Sequence, residues 1–75
     1  MAAARHATAA DWLAAEFAEA LNWDEWNSVA GAVKACKTCG ELSADDVGRL
    51  RDEARRAVGR IRRLRTERGL PPGGP

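Results

Sequence analysis

Two cysteines separated by two residues form the most chemically suggestive motif of this sequence, Cys36-Lys37-Thr38-Cys39-Gly40. A C-x-x-C pair followed by glycine is typical of one half of a zinc knuckle, because cysteine thiolates are good zinc ligands. Zinc takes four ligands in a structural site, whereas this chain offers two cysteines and one histidine, His6. A zinc site at Cys36 and Cys39 would therefore be shared between two chains or completed by an exogenous ligand.

Two other interpretations of the same cysteines remain. A redox pair is disfavoured because Cys36 and Cys39 fall at the end of a predicted helix, where the dipole does not lower a thiol pKa. A disulfide does not suit a reducing cytosol. The simplest interpretation makes Cys36 a small buried apolar residue and Cys39 a turn residue. We rank this structural interpretation above shared zinc, and shared zinc above redox chemistry.

Arginine is concentrated near the C-terminus, with seven arginines and one acid, Glu67, between Ala54 and Arg68. On a helix a step of seven residues is nearly two turns, so several of these guanidinium groups share a stripe. Such a stripe can bind nucleic-acid phosphates or an acidic protein surface. The predicted contact residues are Arg55, Arg56, Arg60, Arg62 and Arg63.

A solvated helix face is the alternative explanation for this arginine. The chain holds ten arginines and two lysines and is rich in alanine and glycine, which is typical of GC-rich coding. The charge is nevertheless uneven: residues 1–41 carry three basic and six acidic groups, net −3, whereas residues 42–75 carry nine basic and five acidic groups, net +4. Local potential governs what a partner experiences, so the asymmetry favours an anionic partner for the C-terminal half.

Trp12, Trp23 and Trp26 are numerous for a chain of 75 residues. They could form a patch that binds a partner, since tryptophan is enriched in interfaces. In small domains such residues more often supply the core. We assign Trp26 and Phe17 to the core and leave the other two tryptophans between the alternatives.

Enzyme motifs are missing from the sequence. It contains no Ser–His–acid set, no glycine-rich phosphate loop and no metalloprotease motif, and His6 has no acid or serine beside it. We therefore predict a protein that is not an enzyme, with no cofactor other than the shared zinc considered above and no small-molecule substrate.

Apolar spacing and capping signals predict an all-α fold of three helices in an antiparallel arrangement, at about residues 9–21, 24–39 and 44–68. Thr8 and Ser43 each precede an acid three residues later, which is typical of a helix start. Residues 1–7 and 70–75 are predicted to be flexible tails flanking this single domain, 8–69. No segment is apolar enough to span a membrane, and the first ten residues make a poor signal peptide, so a cytoplasmic location is expected.

The third helix is the longest, roughly 37 Å at about 1.5 Å per residue. The shorter second helix would cover it only to about Val58, so that Ile61 and Leu64 overhang. The first helix could cover some of this overhang, but it too is short. An exposed apolar seam of this kind predicts a homodimer through Val58, Ile61 and Leu64. The alternative is a monomer whose last helical turns fray.

These features rank two functions. The first is a small regulatory or accessory DNA-binding protein, which uses the arginine-rich helix to contact the nucleic-acid backbone. The second is a protein–protein adaptor or inhibitor, which binds its partner through the apolar seam and the tryptophans while arginine keeps the helix soluble.

Overall fold

A computed structural model describes residues 8–75 and contains three α-helices. They are α1, Ala9–Glu19, α2, Trp23–Thr38, and α3, Ala44–Glu67. No strand occurs in this part of the chain. The all-α class and the number of helices are therefore confirmed, and the predicted helix ends lie within two residues of those observed.

Each helix begins at a side chain that accepts a hydrogen bond from a free amide of the first turn. Thr8 accepts from the Asp11 amide at 3.1 Å, and Asn22 accepts from the Glu25 amide at 2.8 Å. At α3 the capping is reciprocal, because Ser43 accepts from the Asp46 amide and donates its own amide to the Asp46 carboxylate. Such caps satisfy amides that have no partner within the helix, which explains why these boundaries are readable from sequence.

Glycine ends the two longer helices. Gly40 and Gly69 both adopt φ of +77°, a left-handed conformation that side chains disfavour. Beyond Gly40 the Glu41 amide donates to the Cys36 carbonyl at 2.9 Å, and beyond Gly69 the Leu70 amide donates to the Arg65 carbonyl at 2.9 Å. The chain thereby satisfies carbonyls in the last turn of both helices as it turns away.

The core lies mainly between α1 and α3. From the first helix and its C-cap it takes a mixture of small and large apolar residues: Ala10, Leu13, Ala14, Phe17 and Ala20. From α3 it takes Leu50, Ala57 and Ile61, whereas α2 contributes one buried residue, Val29. Alanines on both helices allow the two backbones to approach closely, so α1 covers α3 along most of its own length.

The predicted overhang at Ile61 does not occur, because Ile61 has no exposed surface. The guanidinium of Arg60 donates to the carbonyls of Phe17 and Ala20, which places the end of α1 beside this turn of α3. The first helix therefore covers the region that the second helix was expected to leave bare. The first helix also ends two residues earlier than predicted, at Glu19, and Leu21 beyond it is 59% exposed.

The C-terminal segment folds back onto the helices instead of projecting from them. Trp23 donates its indole N–H to the Pro72 carbonyl at 3.1 Å, and Arg65 donates Nε–H to the Pro71 carbonyl at 2.7 Å. We expected residues 70–75 not to pack, because glycine and proline offer little apolar surface. Proline still has a carbonyl acceptor, and Gly69 directs the chain back towards α2. The predicted tail over residues 1–7 lies outside the described residues.

Among residues 8–75, none of the helices combines the length and the hydropathy that crossing a bilayer would require.

Candidate nucleic-acid interface

Four arginines surround a glycine on the outer face of α3. Two of them, Arg55 and Arg56, precede Gly59 by four and three residues, and the other two, Arg62 and Arg63, follow it by three and four. On a helix surface these positions are the nearest neighbours of Gly59. All five residues are exposed. A Cβ atom added at Gly59 would meet nothing within 4 Å, so the centre of this group is open. We call these four arginines and Gly59 the arginine face.

Little of the positive charge on the arginine face is neutralised internally. Arg56 pairs with Glu53 at 3.1 Å, but its side chain is 68% exposed, and such surface pairs contribute little. Arg55, Arg62 and Arg63 form no ion pair with another residue of the described chain. Their guanidinium groups therefore retain donors and charge for an external anion.

Arg60 was predicted to contact the same anion, but its side chain is turned towards the protein. Its Nη2 donates to the carbonyls of Phe17 and Ala20 at 2.6 and 2.9 Å, and its Nε donates to Ala20 at 3.1 Å. These carbonyls belong to the C-terminal end of α1, where a cation also suits the helix dipole. Arg60 is thus a helix-capping residue, and the predicted five-residue contact set becomes four.

The sequence contains a signal for the capping role of Arg60. Arg60 follows buried Ala57 by three residues and precedes half-buried Leu64 by four, which places it on the inward side of α3. An arginine within an apolar stripe is expected to find acceptors inside the fold. The charge count concealed this position, because it treated all the arginines alike.

A second arginine, Arg49, joins α3 to the start of α1 through an ion pair with Asp11. The hydrogen bond from Arg49 holds the pKa of the Asp11 carboxyl below its ordinary value of 3.8. The same contact raises the pKa of the Arg49 guanidinium. Arg49 and Arg60 therefore fasten the two ends of α1 to α3, and neither contact uses a residue of the arginine face.

The two cysteines lie at the end of α2 as free thiols, with Cys36 half-buried and Cys39 exposed. Burial is the main cause that raises the pKa of the Cys36 thiol, and a hydrogen bond with Glu41 raises it further. A raised pKa reduces the thiolate fraction that nucleophilic or redox chemistry needs. Within residues 8–75, no group of three or more histidine, cysteine or acidic side chains is placed to hold a metal ion. His6 lies outside the described residues.

The tryptophans occupy three different environments. Trp26 packs against Phe17 with ring centroids 5.8 Å apart and donates its indole N–H to the Ala54 carbonyl at 3.0 Å, in agreement with the predicted core role. Trp23 meets Trp26 edge-on at 6.4 Å and contacts the C-terminal segment. Trp12 is 46% exposed on α1. Trp23 and Trp26 therefore belong to one aromatic cluster with Phe17, and within the described residues Trp12 forms no ring pair with that cluster.

The predicted dimer seam is only partly available for contact with another chain. Val58 and Leu64 are half-buried, whereas Ile61 lies fully within the core. The seam was predicted from apolar residues of this helix in alternating steps of three and four, a heptad spacing that Val58 widens. The same spacing also describes a helix that packs on α1.

Comparison with known proteins does not assign this chain to a family. No family model matches the chain, and no curated protein or solved structure was found to be similar to it.

Proposed function

We propose that this protein is a non-enzymatic nucleic-acid-binding protein, regulatory or accessory in role, that contacts backbone phosphates through the arginine face of α3. The observation that carries the proposal is the cluster of four exposed arginines around Gly59, three of them without an ion-pair partner in the described chain. Guanidinium groups donate bidentately to phosphate oxygens. Neutralising phosphates releases counterions, which supplies most of the affinity in sequence-independent binding.

The composition of α3 supports backbone contact over base recognition. The helix contains no asparagine or glutamine, the side chains that pair with adenine in the major groove. The open surface over Gly59 lets a phosphate backbone come close to the helix between the two pairs of arginines. We therefore expect weak sequence preference and strong dependence on salt.

Retention on heparin and on immobilised duplex DNA tests the proposal. In the test variant, all four arginines of the arginine face are replaced by glutamine. The matched control removes the same amount of charge at four other exposed cations: Lys34, Lys37, Arg51 and Arg68. We expect the test variant to elute without retention and the control to remain retained, with both keeping the helical circular-dichroism signal. Equal retention of the two variants would refute the proposal.

The predicted homodimer and the shared zinc are tested by mass. Native mass spectrometry should show two chains, and one zinc per two chains that is lost in Cys36→Ser, if these predictions hold. The burial of Ile61 removes the central residue from the proposed seam. A single metal-free chain would contradict both predictions and would leave the arginine face unaffected.

A further inference from the structure

We propose that a groove between α2 and α3 binds an amphipathic helix of a partner protein, with a row of apolar residues flanked on both sides by acidic residues. The groove has a volume of about 390 Å³, is open to solvent and is lined mainly by apolar side chains. We call it the α2–α3 groove. Its apolar lining consists of Phe17, Trp26, Ala30, Val33, Val47, Leu50 and Ala54.

The groove exists because α2 is only partly packed. Phe17 and Leu50 are buried at its base, whereas Trp26, Val33 and Val47 on its walls keep part of their surface exposed. The indole N–H of Trp26 is already satisfied by the Ala54 carbonyl, so this ring presents apolar surface to a ligand. An apolar groove between two helices fits the apolar face of a third helix, as in helix-in-groove recognition.

The positive charge on the rim of the groove indicates a negatively charged ligand. Lys34 and Lys37 line the groove from α2, and Arg51 lines it from α3, while its lining includes no acid. None of these three cations forms an ion pair with another residue of the described chain. Because cations stand on both walls, the complementary ligand carries negative charge on both of its edges. A helix with two acidic flanks meets this requirement, whereas an amphiphile with one anionic head does not.

The dimensions set the length of the ligand. From Trp26 to Lys37 the α2 wall extends about 16 Å at about 1.5 Å per residue. A partner helix of about three turns covers this length and places apolar residues at positions i, i+4 and i+7 on the groove. The expected partner is therefore a short amphipathic helix with glutamate or aspartate beside each apolar position.

The α2–α3 groove is separate from the arginine face. Neither Gly59 nor any of the four surrounding arginines lines the groove. The binding of a peptide helix and the binding of nucleic acid can therefore be abolished independently by substitution. A second copy of this chain is a competing occupant, because Glu16, Glu19, Asp24 and Glu25 line an acidic surface between α1 and α2.

The experiment is a selection against the full chain from a displayed library of helical peptides of about 16 residues. The library fixes leucine at i, i+4 and i+7 and varies the flanking positions among Glu, Gln and Lys. We expect enrichment of glutamate on both flanks. The selected peptide, measured by fluorescence anisotropy, should bind at least tenfold more weakly to Lys34→Glu/Lys37→Glu, which alters exposed rim residues only. Val33→Glu, which places a charge on the apolar lining of the groove, should weaken binding at least tenfold as well.

Arg62→Glu/Arg63→Glu is the matched control, because it makes the same charge change on the arginine face. It should weaken peptide binding less than threefold. No enrichment of acidic flanks, or equal weakening by the control pair, would overturn the proposal. A two-chain mass in solution that Lys34→Glu/Lys37→Glu converts to one chain would assign the groove to a second copy and would also overturn it.

Discussion

The first and second helices pack against the same long helix in different ways. The shorter α1, with eleven residues, places four of them in the core, whereas α2, with sixteen, places one there, Val29. Arginines also fasten α1 to α3 near both of its ends, through Asp11 and through the carbonyls of Phe17 and Ala20. The comparison indicates that α1 and α3 form the structural unit, and that α2 is a less constrained wall beside which an apolar groove remains.

Substitutions in the two packing surfaces should have the largest and most unequal effects. Leu13 on α1 has no exposed surface, so Leu13→Ala removes contacts and leaves a cavity that costs about 2–5 kcal/mol. Val33 on α2 keeps part of its surface exposed, and Val33→Ala should cost about 1 kcal/mol or less. Urea denaturation followed by circular dichroism measures both. Equal losses at the two positions would contradict the proposed difference between the helices.

The two kinds of arginine on α3 give the next largest effect. Arg60→Gln removes charge-assisted hydrogen bonds to the end of α1 and should cost about 1–3 kcal/mol. Arg63→Gln, on the exposed face, should change stability by less than about 0.5 kcal/mol. Retention on duplex DNA should show the reverse order, with a loss for Arg63→Gln and little change for Arg60→Gln while the protein is folded. If Arg60→Gln and Arg63→Gln changed stability equally and DNA retention equally, the distinction between a capping arginine and an exposed phosphate-binding arginine would be wrong.

Substitution of two glycines by alanine, one within α2 and one at its end, should change stability in opposite directions. Gly31 lies exposed within the helix, and a Cβ atom added there would meet nothing within 4 Å, so Gly31→Ala should stabilise the protein by about 0.5–1 kcal/mol. Gly40 at the helix end has φ of +77°, and Gly40→Ala should destabilise the protein by about 1–2 kcal/mol. Thermal unfolding measures the pair. A gain in stability at Gly40, or a loss at Gly31, would contradict the backbone roles given to these two glycines.

The ion pair at the start of α1 should have the smallest effect. The pKa of Asp11 is lower in the folded chain than its ordinary value of 3.8. Its contribution to stability is therefore present above that value and is lost as the pH falls through the lower pKa of the folded state. Asp11→Asn and Arg49→Gln should both flatten the dependence of unfolding free energy on pH below about 4. An unaltered pH profile in both variants would show that the contact contributes nothing.

Local signals explain how much of this fold could be predicted from sequence. The starts of the helices depend on Thr8, Asn22 and Ser43, whose partners lie three residues away, and the ends of α2 and α3 depend on glycine. Such contacts are encoded within one turn of chain. The class, the number of helices and most boundaries follow from them.

The parts that could not be predicted depend on how α1 docks. Whether Ile61 is covered, and whether Arg60 faces solvent or caps α1, depends on residues about 40 positions away in the chain. The carbonyl of Pro72 likewise acquires its partner, Trp23, only when the chain end returns to α2, whereas the carbonyl of Pro71 accepts from Arg65, six residues away. Helical spacing identified the inward face of α3, but it could not identify which helix would cover that face.

The salt dependence of duplex DNA binding tests the central functional claim most directly. If the four arginines of the arginine face each contact a phosphate, a plot of log Kobs against log salt concentration should have a slope of about −3 to −4 for the wild-type chain. The variant with glutamine at all four positions should lose this dependence together with its binding. A wild-type slope near zero, or the same slope in both proteins, would contradict the proposed role of the arginine face.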